Sequence, residues 1–317
     1  MAATLDIITV NWNSDRYLRQ CLESIAACSQ CGWELGRVVV IDNASTDASI
    51  EGVENLNLPL VLTVNPVNRG FAAACNQGSK GSTAHFLLFL NPDTRLCPQS
   101  LGQAVTFMQR QENDQVGILG IQLLNERGEI SCSCARFPTV GHFLNKMLGL
   151  DRLFPAVFRS RYVAEAQLGK NQIVDQVMGA FFLIRRSLFE VLGGFDEQFF
   201  LYFEEVDLSY RALLNGWISY YLAEARAYHI GWGSSSQVKG ERLYHSLRSR
   251  ILYGYKHFSW YRATLLFLCT LVVEPITRIG RSLAQGSIQD VVDTFQGYQK
   301  FWREAPRLLA SGFQQLG

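Results

Sequence analysis

The sequence predicts an α/β protein, a mostly parallel, doubly wound sheet with a C-terminal helical appendage. Three observations predict it. Short β-rich apolar runs alternate with helical patterns through the first 121 residues, each apolar run ends in polar residues, and from about Lys239 the pattern is helical to the end. Parallel neighbours need a long crossover and a helix is the usual one, so this alternation argues for a parallel sheet with helices on its faces.

In order, residues 5–10, 37–41, 60–64, 86–90 and 116–121 read as buried strands. Between them residues 15–27, 46–54, 71–78 and 98–112 read as helices, the last with Pro98 in its first turn, where a missing N–H costs nothing. A hairpin is expected around Gly128 and a loop-rich region over 136–172. The expected domains are 1–238, the α/β part, and 239–317, a basic helical region.

Ligands of such sheets bind beyond the carboxyl ends of the strands. The residues there are Asn11-Trp12-Asn13, Asp42-Asn43-Ala44-Ser45 and Asn91-Pro92-Asp93, all polar exits from apolar strands. No Gly-x-Gly-x-x-Gly follows the first strand and no Walker A sequence occurs, which removes the main support for dinucleotide oxidoreductase and P-loop readings.

With 317 residues, 48% hydrophobic and 18% charged, the chain can bury a large core. Its net charge of +1 conceals an asymmetry: residues 1–235 hold 18 Lys and Arg against 23 Asp and Glu, and residues 236–317 hold 11 against 5. A basic, aromatic tail behind an acidic front suits an anionic membrane surface, not nucleic acid. No signal peptide pattern stands at the N-terminus, so the expected location is cytoplasmic, peripheral on the inner face of the plasma membrane. The longest apolar run, 263–273, falls short of the roughly 20 residues that span a bilayer. The eight scattered cysteines read as reduced thiols; Cys28, Cys31, Cys132 and Cys134 would hold zinc only if two loops met.

Residues 194–211, Gly-Phe-Asp-Glu-Gln-Phe-Phe-Leu-Tyr-Phe-Glu-Glu-Val-Asp-Leu-Ser-Tyr-Arg, set carboxylates among aromatic rings. Apolar surroundings raise a carboxyl pKa toward the range useful for a general base. The same residues also suit a helix start, with Glu204 and Glu205 near the positive end of the dipole and Asp207 paired to Arg211.

Taken with the segments 68–78 (Asn-Arg-Gly-Phe-Ala-Ala-Ala-Cys-Asn-Gln-Gly), Gly179-Ala180 and Glu204-Glu205-Val206-Asp207, the strand exits resemble the family 2 glycosyltransferases of the GT-A nucleotide-diphospho-sugar transferase fold, in particular bacterial rhamnosyltransferase-like members. The resemblance covers roughly residues 4–235. It implies an inverting, metal-dependent glycosyltransferase that takes a nucleotide-diphosphate sugar, dTDP-rhamnose first and a UDP-sugar second, to a hydroxyl of a cell-surface or lipid-linked glycan. Transfer of another sugar, N-acetylhexosamine or galactofuranose, and a non-catalytic scaffold that binds sugar nucleotide are the alternatives.

The resemblance implies that Val10, Asn11 and Trp12 line the base pocket and that Asp42 accepts from the pyrimidine N–H; an Asx turn or helix cap is the other reading of Asp42. Asn68, Gly70 and Asn76 match the family's second nucleotide-side loop, with Gly70 either admitting the ligand or simply turning the chain. Asn91 and Asp93 match the two ends of the Asp-x-Asp metal motif, the first of them having lost its charge. For Mg2+ or Mn2+ the partner of Asp93 is His229, in the stretch 227–233. Glu205 takes the place of the catalytic base, usually Asp, and leaves Glu204 as a rival.

Overall fold

The computed structural model describes residues 2–231 and 239–314. The chain divides into two compact units, the first of Met1–Phe137, Tyr162–Glu197 and Glu204–Ser234, the second of Pro138–Arg161, Gln198–Phe203 and Ser235–Gly317.

The first unit carries the sheet. Its strands are β1 (Ala3–Asn11), β2 (Trp33–Asp42), β3 (Leu60–Val64), β4 (Phe86–Leu90), β5 (Thr94–Leu96), β6 (Val116–Leu124), β7 (Ile130–Ser131), β8 (Cys134–Ala135), β9 (Gln172–Val174), β10 (Gln176–Val177), β11 (Phe181–Arg185) and β12 (Ile218–His229). The main order is β3-β2-β1-β4-β11-β6-β12-β5. Strands β3, β2, β1 and β4 run parallel, as do β6 and β12, while β11 lies antiparallel between β4 and β6. The hairpin expected around Gly128 is formed by β6 and β7.

Alternate residues of β1 and β2 serve two cores. Leu5, Ile7, Val38 and Val40 pack with the apolar face of α1 (Arg16–Ala26) and with α3 (Ser100–Gln109). On the other face Ile8, Val10, Val39 and Ile41 pack with α2 (Phe71–Ser79) and α7 (Glu204–Leu214). Such two-sided burial is why these strands read as continuous apolar runs.

Several expectations change. Strand β3 is not buried: it lies at the edge of the sheet, with Val61, Leu62 and Val64 exposed. Residues 46–54 are not an α-helix but bends and turns, with one 3-10 turn at Val53–Asn55. Polar side chains there take the backbone away from helical pairing: Asp47 Oδ1 accepts from Ser49 N–H and hydroxyl at 3.2 and 2.5 Å, and Thr46 N–H donates to Asn13 Oδ1 at 2.7 Å. The loop-rich region contains a helix, α4 (Val140–Leu148), with Thr139 and His142 forming a reciprocal cap at its N-terminus, followed by the single turn α5 (Leu150–Leu153). The remaining short helix of the first unit is α6 (Arg186–Val191).

The second unit consists of α4, α5, α8 (Lys239–His257), α9 (Trp260–Leu268), a π turn (Cys269–Val273), α10 (Glu274–Ala284) and α11 (Ile288–Gln314). It gathers more than the tail because aromatic packing recruits two earlier segments. The Phe203 ring lies 6.0 Å from Phe143 and 5.4 Å from Tyr253, and Ser249 Oγ donates to the Leu201 carbonyl at 2.8 Å.

The apolar run seen as 263–273 is longer in three dimensions. Trp260–Ala284 is one helical stretch of 25 residues, long and apolar enough to cross a membrane by length and composition. Glu274 does not interrupt it, because its carboxylate is turned inward and paired with Arg250.

Candidate active site

The exits of β1 and β2 are in register, Asn11 opposite Asp42. Both side chains are buried. Asn11 Nδ2 donates to Asp42 Oδ1 at 2.7 Å and to Ser49 Oγ at 2.8 Å, and Ser14 donates to Asn11 Oδ1. Asp42 closes an Asx turn: Oδ2 accepts the Ser45 N–H at 3.0 Å and Oδ1 accepts the Ser45 hydroxyl at 2.6 Å. Asn13, Asp15 and Ala44 hold positive φ angles of 49°, 50° and 61° here, a conformation that costs non-glycine residues energy and concentrates at functional sites. Val10 packs into the core beneath this edge, and Trp12 stays half-exposed on it.

Asn43, which sequence reasoning passed over, joins this edge to the next. Its Nδ2 donates to the Gly70 carbonyl at 3.1 Å, and its Oδ1 accepts from Asn65 at 2.9 Å. Gly70 has φ 84° and ψ 166°, a region open essentially to glycine alone, so the turn itself requires it. Asn68 Oδ1 receives the Gly70 N–H at 2.9 Å. Asn76 has a holding role: its Oδ1 accepts the Phe195 N–H at 2.9 Å and its Nδ2 donates to the Phe195 carbonyl at 2.8 Å, fastening α2 to the loop before the acidic helix.

Beyond β4 the chain turns tightly, with the Thr94 N–H donating to the Asn91 carbonyl at 3.1 Å and the Asn91 N–H to the Ala180 carbonyl at 3.1 Å. The turn delivers β5 to β12, pairing Thr94 with His229, and the Ile230 N–H donates to the Asp93 carbonyl at 3.3 Å. Asp93 Oδ1 then stands 3.3 Å from His229 Nε2, with side chains 13% and 22% exposed, open enough to meet a ligand. Trp232 and Gly233, which end the sequence stretch around His229, lie outside the described residues.

A carboxylate oxygen beside an imidazole nitrogen is a donor set that Mn2+ or Mg2+ accepts. Among the described residues no group of three or more His, Cys, Asp or Glu could hold a metal ion, so a cation on this pair would complete its shell from diphosphate and water. None of the eight cysteines, the four considered for zinc included, is in a disulfide.

Helix α7 opens with the acidic pair. Glu204 is 5% exposed and its Oε2 is buried without a hydrogen-bond partner among the described residues. Burial, and then the neighbouring charge of Glu205, push the Glu204 carboxyl well above the ordinary carboxylate range, against a smaller pull from its own backbone N–H. Cys75 on α2 feels the same group: burial raises its thiol first and the Glu204 charge adds to it. Glu205 is more exposed than Glu204. Asp207 is fully buried and ion-paired with Arg211 at 2.7 Å, which gives it an anchoring role. Immediately before the pair Tyr202 and Phe203 hold φ angles of 67° and 71°, two successive strained residues. The aromatic setting is real: Phe195 sits 4.9 Å from Phe89 and 5.5 Å from Phe189, between sheet and helix.

Comparison with known proteins completes the picture. The family model described as glycosyl transferase family 2 matches residues 6–193. An N-acetylglucosaminyl-diphospho-decaprenol L-rhamnosyltransferase of Mycobacterium tuberculosis is 25% identical over 84% of this chain and 89% of its own. Rhamnosyltransferase WbbL of Escherichia coli is 26% identical over 45% of this chain and 52% of its own. Among solved structures, mannosyltransferase PcManGT from Pyrobaculum calidifontis in complex with GDP-Man and Mn2+ aligns with a TM-score of 0.54 at 16% identity, covering 100% of this chain and 88% of that one. Staphylococcus aureus TarS 1-349 in complex with UDP-GlcNAc aligns with a TM-score of 0.52 at 17% identity, covering 95% and 92%. These likenesses identify the fold as GT-A with a helical C-terminal region.

Proposed function

This chain belongs to glycosyl transferase family 2, and we propose that it is an inverting rhamnosyltransferase that moves the sugar of dTDP-rhamnose to a hydroxyl of a lipid-linked or cell-surface glycan. The observation that carries the reading is the pair Asp93 and His229, far apart in sequence and 3.3 Å apart in the fold, at the edge where the strands end. The sugar is supported by the rhamnosyltransferase relatives, and the lipid-linked acceptor by the name of the mycobacterial one. A soluble nucleotide donor and a lipid-linked acceptor place the reaction at the cytoplasmic face of the plasma membrane. The machinery lies on the first unit, and residues 239–317 form the helical appendage together with residues 138–161 and 198–203.

The chemistry divides between two centres. Glu205 takes the proton from the acceptor hydroxyl; the oxygen attacks the anomeric carbon from the side opposite the nucleotide, the bond to the diphosphate breaks, and the configuration inverts. Burial favours the protonated form of Glu204, and Glu205 is the more exposed of the two, so Glu205 is the carboxylate open to the acceptor. Asp93 and His229 would hold Mg2+ or Mn2+, and the cation would supply positive charge for a diphosphate leaving group. Asp42 orders the base-binding edge through its turn, with Asn11, Trp12 and Asn68 around it. Asn91 shapes the loop that presents Asp93.

A second reading, N-acetylhexosamine as the sugar, is favoured by similarity to the S. aureus poly(ribitol-phosphate) beta-N-acetylglucosaminyltransferase TarS, 28% identical over 38% of this chain. Thermal unfolding of the full chain with Mn2+ against dTDP-rhamnose, UDP-GlcNAc, UDP-galactofuranose and GDP-mannose separates them, since the ligand that binds the folded state best raises its melting temperature most. The largest shift with dTDP-rhamnose is expected. A larger one with UDP-GlcNAc would replace the sugar, and none with any donor would remove the transferase reading.

A further inference from the structure

The helical stretch Trp260–Ala284 is long enough to span a bilayer, yet only 33% of its most apolar 18-residue window is buried. Its exposed side chains are not scattered. Tyr261, Leu265, Leu268, Val272, Ile276 and Leu283 are between 48% and 67% exposed, and their spacing of three, four and seven residues keeps them on one side of the helix. On α11 the exposed Ile288, Phe295 and Trp302 repeat the pattern, and Trp302 Nε1 donates to the Leu271 carbonyl at 3.1 Å, bringing the two apolar faces side by side. An apolar surface of this extent is a binding surface or an aggregation hazard.

The opposite side of the long helix is fixed by charge. Glu274, 4% exposed, lies within the stretch and accepts from Arg250 of α8 at 2.6 Å and from Arg278 at 2.8 Å. Drawing the helix away to cross a bilayer would either carry these ions into hydrocarbon or leave Arg250 buried and unpaired, both strongly unfavourable. The helix therefore stays on its unit and presents only its outer face. Trp260, Tyr261 and Trp302, rings with an apolar body and a polar tip, belong at the level of lipid headgroups. Exposed Arg262, Arg303 and Arg307 add positive charge on the same helices, within a tail of 11 basic against 5 acidic residues.

We infer that the outer face of Trp260–Ala284, with the adjoining stripe of α11, is a monotopic docking surface that lies in the interface of an anionic lipid bilayer and does not span it. The inference does not depend on which sugar is transferred.

Flotation of the full chain with vesicles tests it. The protein should float with vesicles containing phosphatidylglycerol, less with pure phosphatidylcholine and less as salt rises, and an alkaline carbonate wash should release it. Leu265→Asp with Ile276→Asp, both at exposed positions, should lower the vesicle partition coefficient roughly tenfold or more with an unchanged melting temperature. If that pair unfolds the protein, Arg262→Glu with Arg303→Glu and Arg307→Glu should still lower binding to anionic vesicles alone. Resistance to carbonate would mean a spanning helix and overturn the inference. So would absence of flotation with any vesicle, wild-type flotation of the variants, or a dimer in vesicle-free solution that Leu265→Asp with Ile276→Asp dissociates, which would assign the face to a second copy of the chain.

Discussion

Arg211 Nε donates to Asp207 Oδ2 at 2.7 Å, and the same guanidinium donates through Nη1 to the Leu192 carbonyl at 2.6 Å and through Nη2 to the Gly194 carbonyl at 2.8 Å. One side chain thus ties α7 to the turn that precedes the aromatic loop, and the acidic pair one turn upstream inherits its position from that tie. Because Asp207 is fully buried, removing Arg211 takes a compensating cation away from a desolvated charge. Arg211→Ala should lower the unfolding free energy by about 3 kcal/mol, measured by urea denaturation. A loss no larger than that of an exposed surface substitution would show that the tie contributes nothing.

The Asp93–His229 pair predicts unequal losses. Asp93→Ala should abolish metal-stimulated turnover and Mn2+ binding in the presence of dTDP, because the only protein carboxylate proposed for the cation is gone. His229→Ala should weaken Mn2+ more gently, since water can replace a neutral ligand. EDTA should inhibit the native protein. Undiminished metal stimulation in Asp93→Ala would dismiss the site.

Glu204 gives stability a pH dependence of definite sign. Its carboxyl is raised by burial and by Glu205, so across the window from the ordinary carboxylate pKa upward the folded state binds more protons than the unfolded chain. Stability should fall as pH climbs through that window. Glu204→Gln should flatten the slope in urea titrations repeated at successive pH values; an unchanged slope would mean that the carboxyl titrates normally.

Glu274 predicts the opposite slope. Burial alone would push its carboxyl up, but the charges of Arg250 and Arg278 prevail and pull it down to about 2. The stability it contributes is present above the ordinary carboxylate pKa and lost as pH falls from there toward about 2. Thermal melts of the wild type and Glu274→Gln over that range should converge as the pH drops. Parallel curves would contradict the assignment.

Much of this protein is legible in its sequence where a local signal carries it. The parallel strands announce themselves as apolar runs, and the polar residues at their ends mark the edge proposed to bind the donor. Glu204-Glu205-Val206-Asp207 read in place gives both an acidic pair and, in Asp207, the ion pair with Arg211. What stays hidden depends on distant partners. Residues 46–54 have helix-compatible spacing, but Asn13 and Asp47 capture their N–H groups. Asn76 matches a nucleotide-side loop in sequence, and in the fold it grips the Phe195 backbone, a residue that nothing in the local pattern selects. Strand β11 was within reach, since Phe181-Phe182-Leu183-Ile184 is an apolar run like the others, but its antiparallel place between β4 and β6 is set by the whole sheet. The length of Trp260–Ala284 was masked by Glu274, whose charge breaks a hydropathy window but not a helix in which Arg250 meets it.

The central claim is that Glu205 removes the acceptor proton, and single-turnover transfer by Glu205→Gln tests it most directly. Glutamine keeps the size and polarity of the side chain but cannot accept a proton in the reaction, and a group that acts only in the transition state affects turnover without weakening the donor. Glu205→Gln should bind dTDP-rhamnose and Mn2+ as the wild type does while transfer falls by roughly 100-fold or more. Glu204→Gln should lose far less, since burial and the Glu205 charge favour the protonated form of its carboxyl. The reverse order would move the base to Glu204, and near-wild-type transfer in both variants would contradict the mechanism.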